Sequence, residues 1–166
     1  MIQFLSLTLF PVLMIVAGAG DALSMRIPNW LTALIAIAFL PMALLTGMPL
    51  LTVGLHLAVG VGMFAAGFAL FALGLFGGGD AKLLAAAGLW LGWPDVIPFL
   101  VLTAFAGGAL ALCVGIWSII NVDSEVKNGA VFKYLGSIKP NVPYGYAFAI
   151  GALLAFPQSW WTVAGS

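Results

Sequence analysis

Almost the whole chain consists of apolar runs too continuous to be one face of a soluble helix. Read between polar residues and Gly/Pro breaks, the runs cover residues 2–20, 29–46, 49–75, 81–93, 96–120 and 143–163. A bilayer's hydrocarbon core is crossed by about 20 such residues, and in lipid every backbone group must be paired within the segment. The pattern therefore predicts an all-α polytopic integral membrane protein with about six transmembrane helices. Of the 166 residues, 64% are hydrophobic and 6% charged, against roughly 25% charged in a soluble domain. A second, soluble domain does not fit, so 1–166 reads as one transmembrane domain.

The charges exclude further classes. Five Lys/Arg balance five Asp/Glu, leaving no basic field to hold a phosphate backbone; nucleic acid is not an expected partner. Cys113 stands alone, so it forms no internal disulfide and reads as a small apolar filler. No Cys/His cluster has zinc-ligand spacing, and neither metal nor cofactor is expected. The first run resembles a secretory signal around Ala17-Gly18-Ala19, but no Lys or Arg precedes it; a retained helix is expected.

Counting crossings places Arg26, Lys82, Lys127, Lys133 and Lys139 on one face, the cytosolic one by the positive-inside rule, with both termini outside. Trp30 and Trp117 then fall near the inner boundary, and Trp90, Trp93, Trp160 and Trp161 near the outer one, as aromatic belts. The polar connection Asn121–Asn141 is expected along the inner interface, its lysines near anionic lipid. The third run looks too long for the membrane and the fourth too short, which suggests that the Gly77-Gly78-Gly79 break lies partly inside the bilayer and lines a wet cavity. Glycines 54, 60, 62, 67 and 74 would let neighbours approach the third run closely.

Ionisable groups near membrane depth are costly and demand an explanation. Asp21 closes the first run and Asp80 opens the fourth; two crossings separate them, so they emerge at the same face. Asp95 lies one crossing further on, at the opposite face, while Asp123 and Glu125 sit in the polar connection. Two carboxyl groups facing each other at low dielectric share one proton. Such a pair is a general acid beside a general base, able to drive water onto a peptide carbonyl without a nucleophilic side chain. Glycines before Asp80 would admit an extended substrate strand, and Pro28 would open the second helix and stiffen the Asp21–Pro28 turn.

The stretch Asp21-Ala-Leu-Ser-Met-Arg-Ile27-Pro28-Asn29, the segment GGGDAKLLAAAGLWLG from Gly77 to Gly92, and Pro143-Tyr144-Gly145 opening the last run together resemble the bacterial type IV prepilin peptidases. They are most similar to the short form dedicated to Flp-type pilins. Gly77-Gly78-Gly79-Asp80 matches the G-x-G-D signature of that family. The resemblance implies a membrane aspartic endopeptidase of the bacterial inner membrane that removes the cytosolic leader of prepilins after a glycine, with Asp21 and Asp80 as the catalytic pair. The larger members carry a cysteine-rich zinc domain between the first two spans; here that connection is only Asp21–Pro28, so methylation of the new N-terminus is not expected. Oligomeric state does not follow from the sequence.

Gly77, Gly78, Gly79, Arg26 and Lys82 are the candidates for substrate binding. Arg26 and Lys82 could neutralise the pair or attract an acidic substrate residue, although cations snorkelling to the inner boundary would look the same and are favoured. His56 has no acidic neighbour nearby in sequence and is expected to be buried and structural. The alternative to a peptidase is a proton- or cation-coupled transporter, since paired intramembrane carboxylates also build ion pathways. That class would carry polar residues deep within several spans.

Overall fold

The computed structural model describes residues 2–120 and 144–163, and in that portion it is helical with no strand. The helices are α1 (Ile2–Ser24), α2 (Asn29–Leu45), α3 (Leu50–Ala72), α4 (Gly78–Leu91), α5 (Val96–Ile120) and α6 (Tyr144–Ala155). A single 3-10 turn, Phe156–Gln158, and the short helix α7 (Trp160–Val163) follow. Among the described residues, three segments are long and apolar enough to cross a bilayer: Phe4–Ser24, Leu50–Ala72 and Val96–Trp117. Their outward side chains, among them Leu51, Val61, Phe105 and Leu112, are large, apolar and exposed, as lipid-facing positions require. The expected interfacial segment Asn121–Asn141, with Asp123, Glu125, Lys127, Lys133 and Lys139, and Pro143 of the last motif lie outside the described residues.

The boundaries differ from the apolar runs in informative ways. Helix α1 continues a full turn past the first run, so Asp21 lies within the helix rather than at its end. It stops at Met25, whose φ of 52° is the left-handed conformation common just after helix C-termini. Pro28 is the extended N-cap of α2 rather than its first helical residue. Helix α3 ends at Ala72 because Gly74 turns left-handed at φ 72°, letting Leu75 N–H donate to Leu70 O at 2.9 Å. The break is therefore Leu73–Gly77, and Gly78 and Gly79 belong to the first turn of α4. The last run is not one helix but α6, the 3-10 turn and α7 in succession.

Helix α4 is the centre of the molecule. Its main partner is α3, with α2 and α6 also against it, while α6 packs in turn against α1 and α5. Ala81, Leu83, Leu84 and every residue from Ala86 to Leu91 are buried, so α4 is enclosed on most sides and has no polar face. Two of the expected glycines make the α3–α4 contact. A side chain at Gly60 would meet Leu89 Cβ at 3.1 Å, and one at Gly67 would meet the Ala81 backbone at 3.0 Å. They lie seven residues apart, hence on one helix face. Gly54 and Gly62 have nothing within 4 Å, and Gly74 lies beyond the helix.

At the far end of α4 the tryptophans depart from the belt pattern. Trp90 and Trp161 are buried, with ring centroids 4.8 Å apart, and Trp90 also stacks on Phe10 at 5.2 Å. Trp90 Nε1 donates to Ile35 O at 2.7 Å, and Trp161 Nε1 donates to Trp90 O at 2.6 Å. These two are core residues because a buried indole N–H needs an acceptor and here finds one on a neighbouring helix. Trp30, Trp93 and Trp117 are exposed. His56 joins the same cluster, stacked on Phe39, and its Nδ1 lies 2.8 Å from Leu89 O. A carbonyl can only accept, so Nδ1 carries the proton, and the histidine ties α3 to α4. Cys113 is exposed rather than a filler of packed space.

Candidate active site

Two aspartates are brought to one end of the bundle by three helices. Asp21 comes from the last turn of α1 and is buried. Its Oδ2 accepts from the backbone N–H of Gly145, the second residue of α6, at 2.8 Å. The Tyr146 N–H is directed at the same carboxyl group. Asp80 is the third residue of α4; its Oδ2 accepts from the N–H of Gly77, the extended N-cap, at 3.1 Å. Each carboxyl group thus satisfies otherwise unpaired amides at the start of a helix, where the helix dipole also favours negative charge. The two helix starts that hold them, at Gly79 and Gly145, are both set against the side chain of Ile27.

Glycine allows a close approach at three points of this arrangement. A side chain at Gly77 would lie 2.9 Å from Asp80 Oδ2. One at Gly145 would lie 2.9 Å from both Cβ and Oδ2 of Asp21 and 2.7 Å from Ile27 Cδ1. One at Gly79 would lie 3.2 Å from Ile27 Cβ and 3.4 Å from Ile27 O. Ile27, buried in the α1–α2 connection, is therefore the wedge against which the starts of α4 and α6 are both set. At position 79, where the sequence suggests room for a substrate strand, the space is filled by Ile27. Gly78 faces the ring of Phe71 at 3.6 Å.

The residues just before the two amide donors also meet. The rings of Phe76 and Tyr144 lie 5.3 Å apart, joining the approach to α4 with the start of α6. Lys82 Nζ donates to Asn29 Oδ1 at 2.8 Å, tying the start of α4 to that of α2. Arg26 is exposed in the α1–α2 connection. Asp95 belongs to the turn between α4 and α5, a helix length from Asp80, where burial holds its carboxyl above the usual range. Among the described residues, no three or more His, Cys, Asp or Glu are grouped to hold a metal ion.

Gly145 and Ile27 are the structural residues that reading the sequence by charge and hydropathy passes over. Both lie in the motif stretches, yet only the fold shows that one donates to Asp21 across 124 positions and that the other supports two helix starts. The profile of the type IV leader peptidase family matches residues 8–112, well over half of the chain and including both aspartates. The chain belongs to the type IV leader peptidase family. No curated protein and no solved structure matches it. This leader peptidase is accordingly a membrane-embedded protease with prepilin-like substrates as its class. Its Gly145 and the rest of α6 lie beyond the matched segment, so their part in holding Asp21 comes from the coordinates alone.

Proposed function

We propose that this peptidase is an aspartic endopeptidase in which Asp21 and Asp80 activate water against the peptide bond at the end of a prepilin leader. The observation that carries the reading is the convergence of these two carboxyl groups, from helices 59 positions apart in sequence, each anchored by a glycine amide at a helix start. The charged carboxylate takes a proton from the attacking water while the other carboxylic acid protonates the carbonyl oxygen. The tetrahedral intermediate then collapses: one of its hydroxyl groups returns a proton to the second carboxylate as C=O re-forms, the C–N bond breaks, and the departing nitrogen receives the proton held by the first carboxylate. No nucleophilic side chain enters this sequence of steps, and no cofactor is assigned to it.

A helical peptide bond has its carbonyl engaged, so a protease at the membrane edge is best matched to a junction between extended leader and transmembrane helix. Glycine unwinds readily there and brings no side chain. Six passes, both termini outside, an inner-membrane location and a cytosolic site belong to the same reading, and the cations Arg26 and Lys82 near this end support it. So does a Flp-like prepilin as substrate. The short Asp21–Pro28 connection supports cleavage without methylation. Gly77, Gly78, Arg26 and Lys82 remain the candidates for holding the leader, and lipid surrounds the bundle. Transport draws no support from membership of a peptidase family.

The test is leader removal from a co-expressed prepilin. Asp21→Asn and Asp80→Asn each leave the protein inserted and reduce processing below detection, whereas Asp95→Asn processes normally. Processing by either dyad variant at the wild-type rate defeats the assignment, and ion flux in proteoliposomes without peptide cleavage would favour transport.

A further inference from the structure

Two grooves open on the sides of the bundle, and α4 separates them. One, about 520 Å³, lies among α2, α3 and α4 and is lined by Asn29, Ala33, Ala36, Val61, Lys82 and Leu89. The other, about 330 Å³, lies among α3, α4, α5 and α6, and Ala66, Leu84, Ala104, Gly108, Phe76 and Tyr144 contribute to its wall. Neither wall includes an aspartate, but the second runs along the face of α4 that carries Asp80. Leu84 is four residues after Asp80 and shares its helix face, while Lys82 is two residues after it and lies round the other side. Its rim residues Phe76 and Tyr144 immediately precede Gly77 and Gly145, the two amides that hold Asp80 and Asp21.

We propose that this groove between α3 and α5 seats the transmembrane helix of the prepilin substrate, so that its leader junction is delivered past Phe76 and Tyr144 to the aspartates. The proposal rests on the peptidase reading above and adds the route by which the substrate arrives. A substrate whose chain continues as a membrane helix must lie alongside the enzyme while the bond at the helix end reaches the dyad. The α3–α5 groove is the one whose rim residues, Phe76 and Tyr144, adjoin both anchoring amides. Among the described residues, helices α3 and α5 make little contact with each other, which leaves a lateral opening between them. Its wall presents Ala66 from α3 and Ala104, Gly107 and Gly108 from α5, and a side chain at Gly108 would meet nothing within 4 Å. Small residues admit a helix backbone at close range, a fit that a flexible acyl chain does not need.

The test compares a full-length prepilin in detergent with a soluble peptide that spans the leader junction but lacks the helix. In Gly108→Phe and Ala66→Phe the ratio of kcat/KM for prepilin over peptide falls at least ten-fold through KM, while Ala33→Phe, which fills the other groove, leaves the ratio unchanged. In a Cys113→Ala background, Gly108→Cys and Ala66→Cys cross-link to a single cysteine in the prepilin helix, and Ala33→Cys does not. This second arm holds even if the phenylalanine variants fail to fold. Cross-linking at position 33 in place of 66 and 108, or an unchanged ratio in folded Phe variants, overturns the proposal while leaving the peptidase intact. If the wild-type protein cleaves neither substrate, the peptidase reading itself falls, and the docking route with it.

Discussion

An aspartate on a membrane helix needs a hydrogen-bond partner, and at position 21 that partner is the amide of Gly145. The side chain of any other residue at 145 would crowd the carboxyl group, its Cβ lying 2.9 Å from Asp21 Oδ2. Gly145→Ala forces Asp21 or Ile27 to move by a fraction of an ångström or more. Misplacing a reacting group by about 1 Å costs on the order of 100-fold in rate. The expected result is a protein that still inserts and binds prepilin but cleaves it about 100-fold more slowly, read as a fall in kcat from a time course of leader removal. Cleavage at the wild-type rate would mean that the Gly145 contact does not position Asp21. At this scale the two acids were legible in the sequence, because carboxylates are so rare in this chain that parity alone brings them to one face. Their anchors were not, since a hydrogen bond between residues 21 and 145 leaves no local pattern.

Among elements, α4 illustrates where local reading stops. Three successive glycines look like a chain break, because glycine costs about 1 kcal/mol relative to alanine inside a helix. Yet Gly78 and Gly79 are helical, and at position 79 the glycine lets the start of α4 pass close to Ile27, where a side chain would be tightly placed. The glycines of α3 teach the same lesson, as sequence offers five for close approach and the fold uses 60 and 67. This yields a paired prediction. Gly67→Val places atoms against the Ala81 backbone, which cannot yield as a side-chain end can, and destabilises by about 1–3 kcal/mol as overpacking does. Gly62→Val, on open space, has little effect. Thermal unfolding of the two purified variants in detergent distinguishes them: the midpoint falls for the first and stays for the second. The tryptophans were misread for a related reason, because belt and core indoles have the same sequence appearance. Only the acceptors Ile35 O and Trp90 O decide for the core.

For the whole molecule, the run pattern made an all-helical membrane protein legible, and the unequal helix lengths bear on how it sits in lipid. Three helices exceed 20 residues, but α4 has 14 and α6 has 12. At 1.5 Å per residue, 14 residues rise only about 21 Å, well short of a ~30 Å hydrocarbon core. Because α4 is enclosed by its neighbours, its ends need not reach the headgroups, and the loop at its start can lie below the membrane surface, lined by protein. The meeting of three helix ends then constrains the path of the chain. Helix α1 runs toward the aspartate end, while α4 and α6 run away from it. The chain between Asp21 and Asp80 must therefore leave that end and return, through α2 and α3, and it must do so again between Asp80 and Gly145. In a Cys113→Ala background, Arg26→Cys and Lys82→Cys are expected to react with a membrane-impermeant maleimide in inverted vesicles, and Asp95→Cys only in right-side-out cells. Labelling of positions 26 and 95 from the same side would contradict this path, because the length of α4 separates the aspartate end from the turn that carries Asp95.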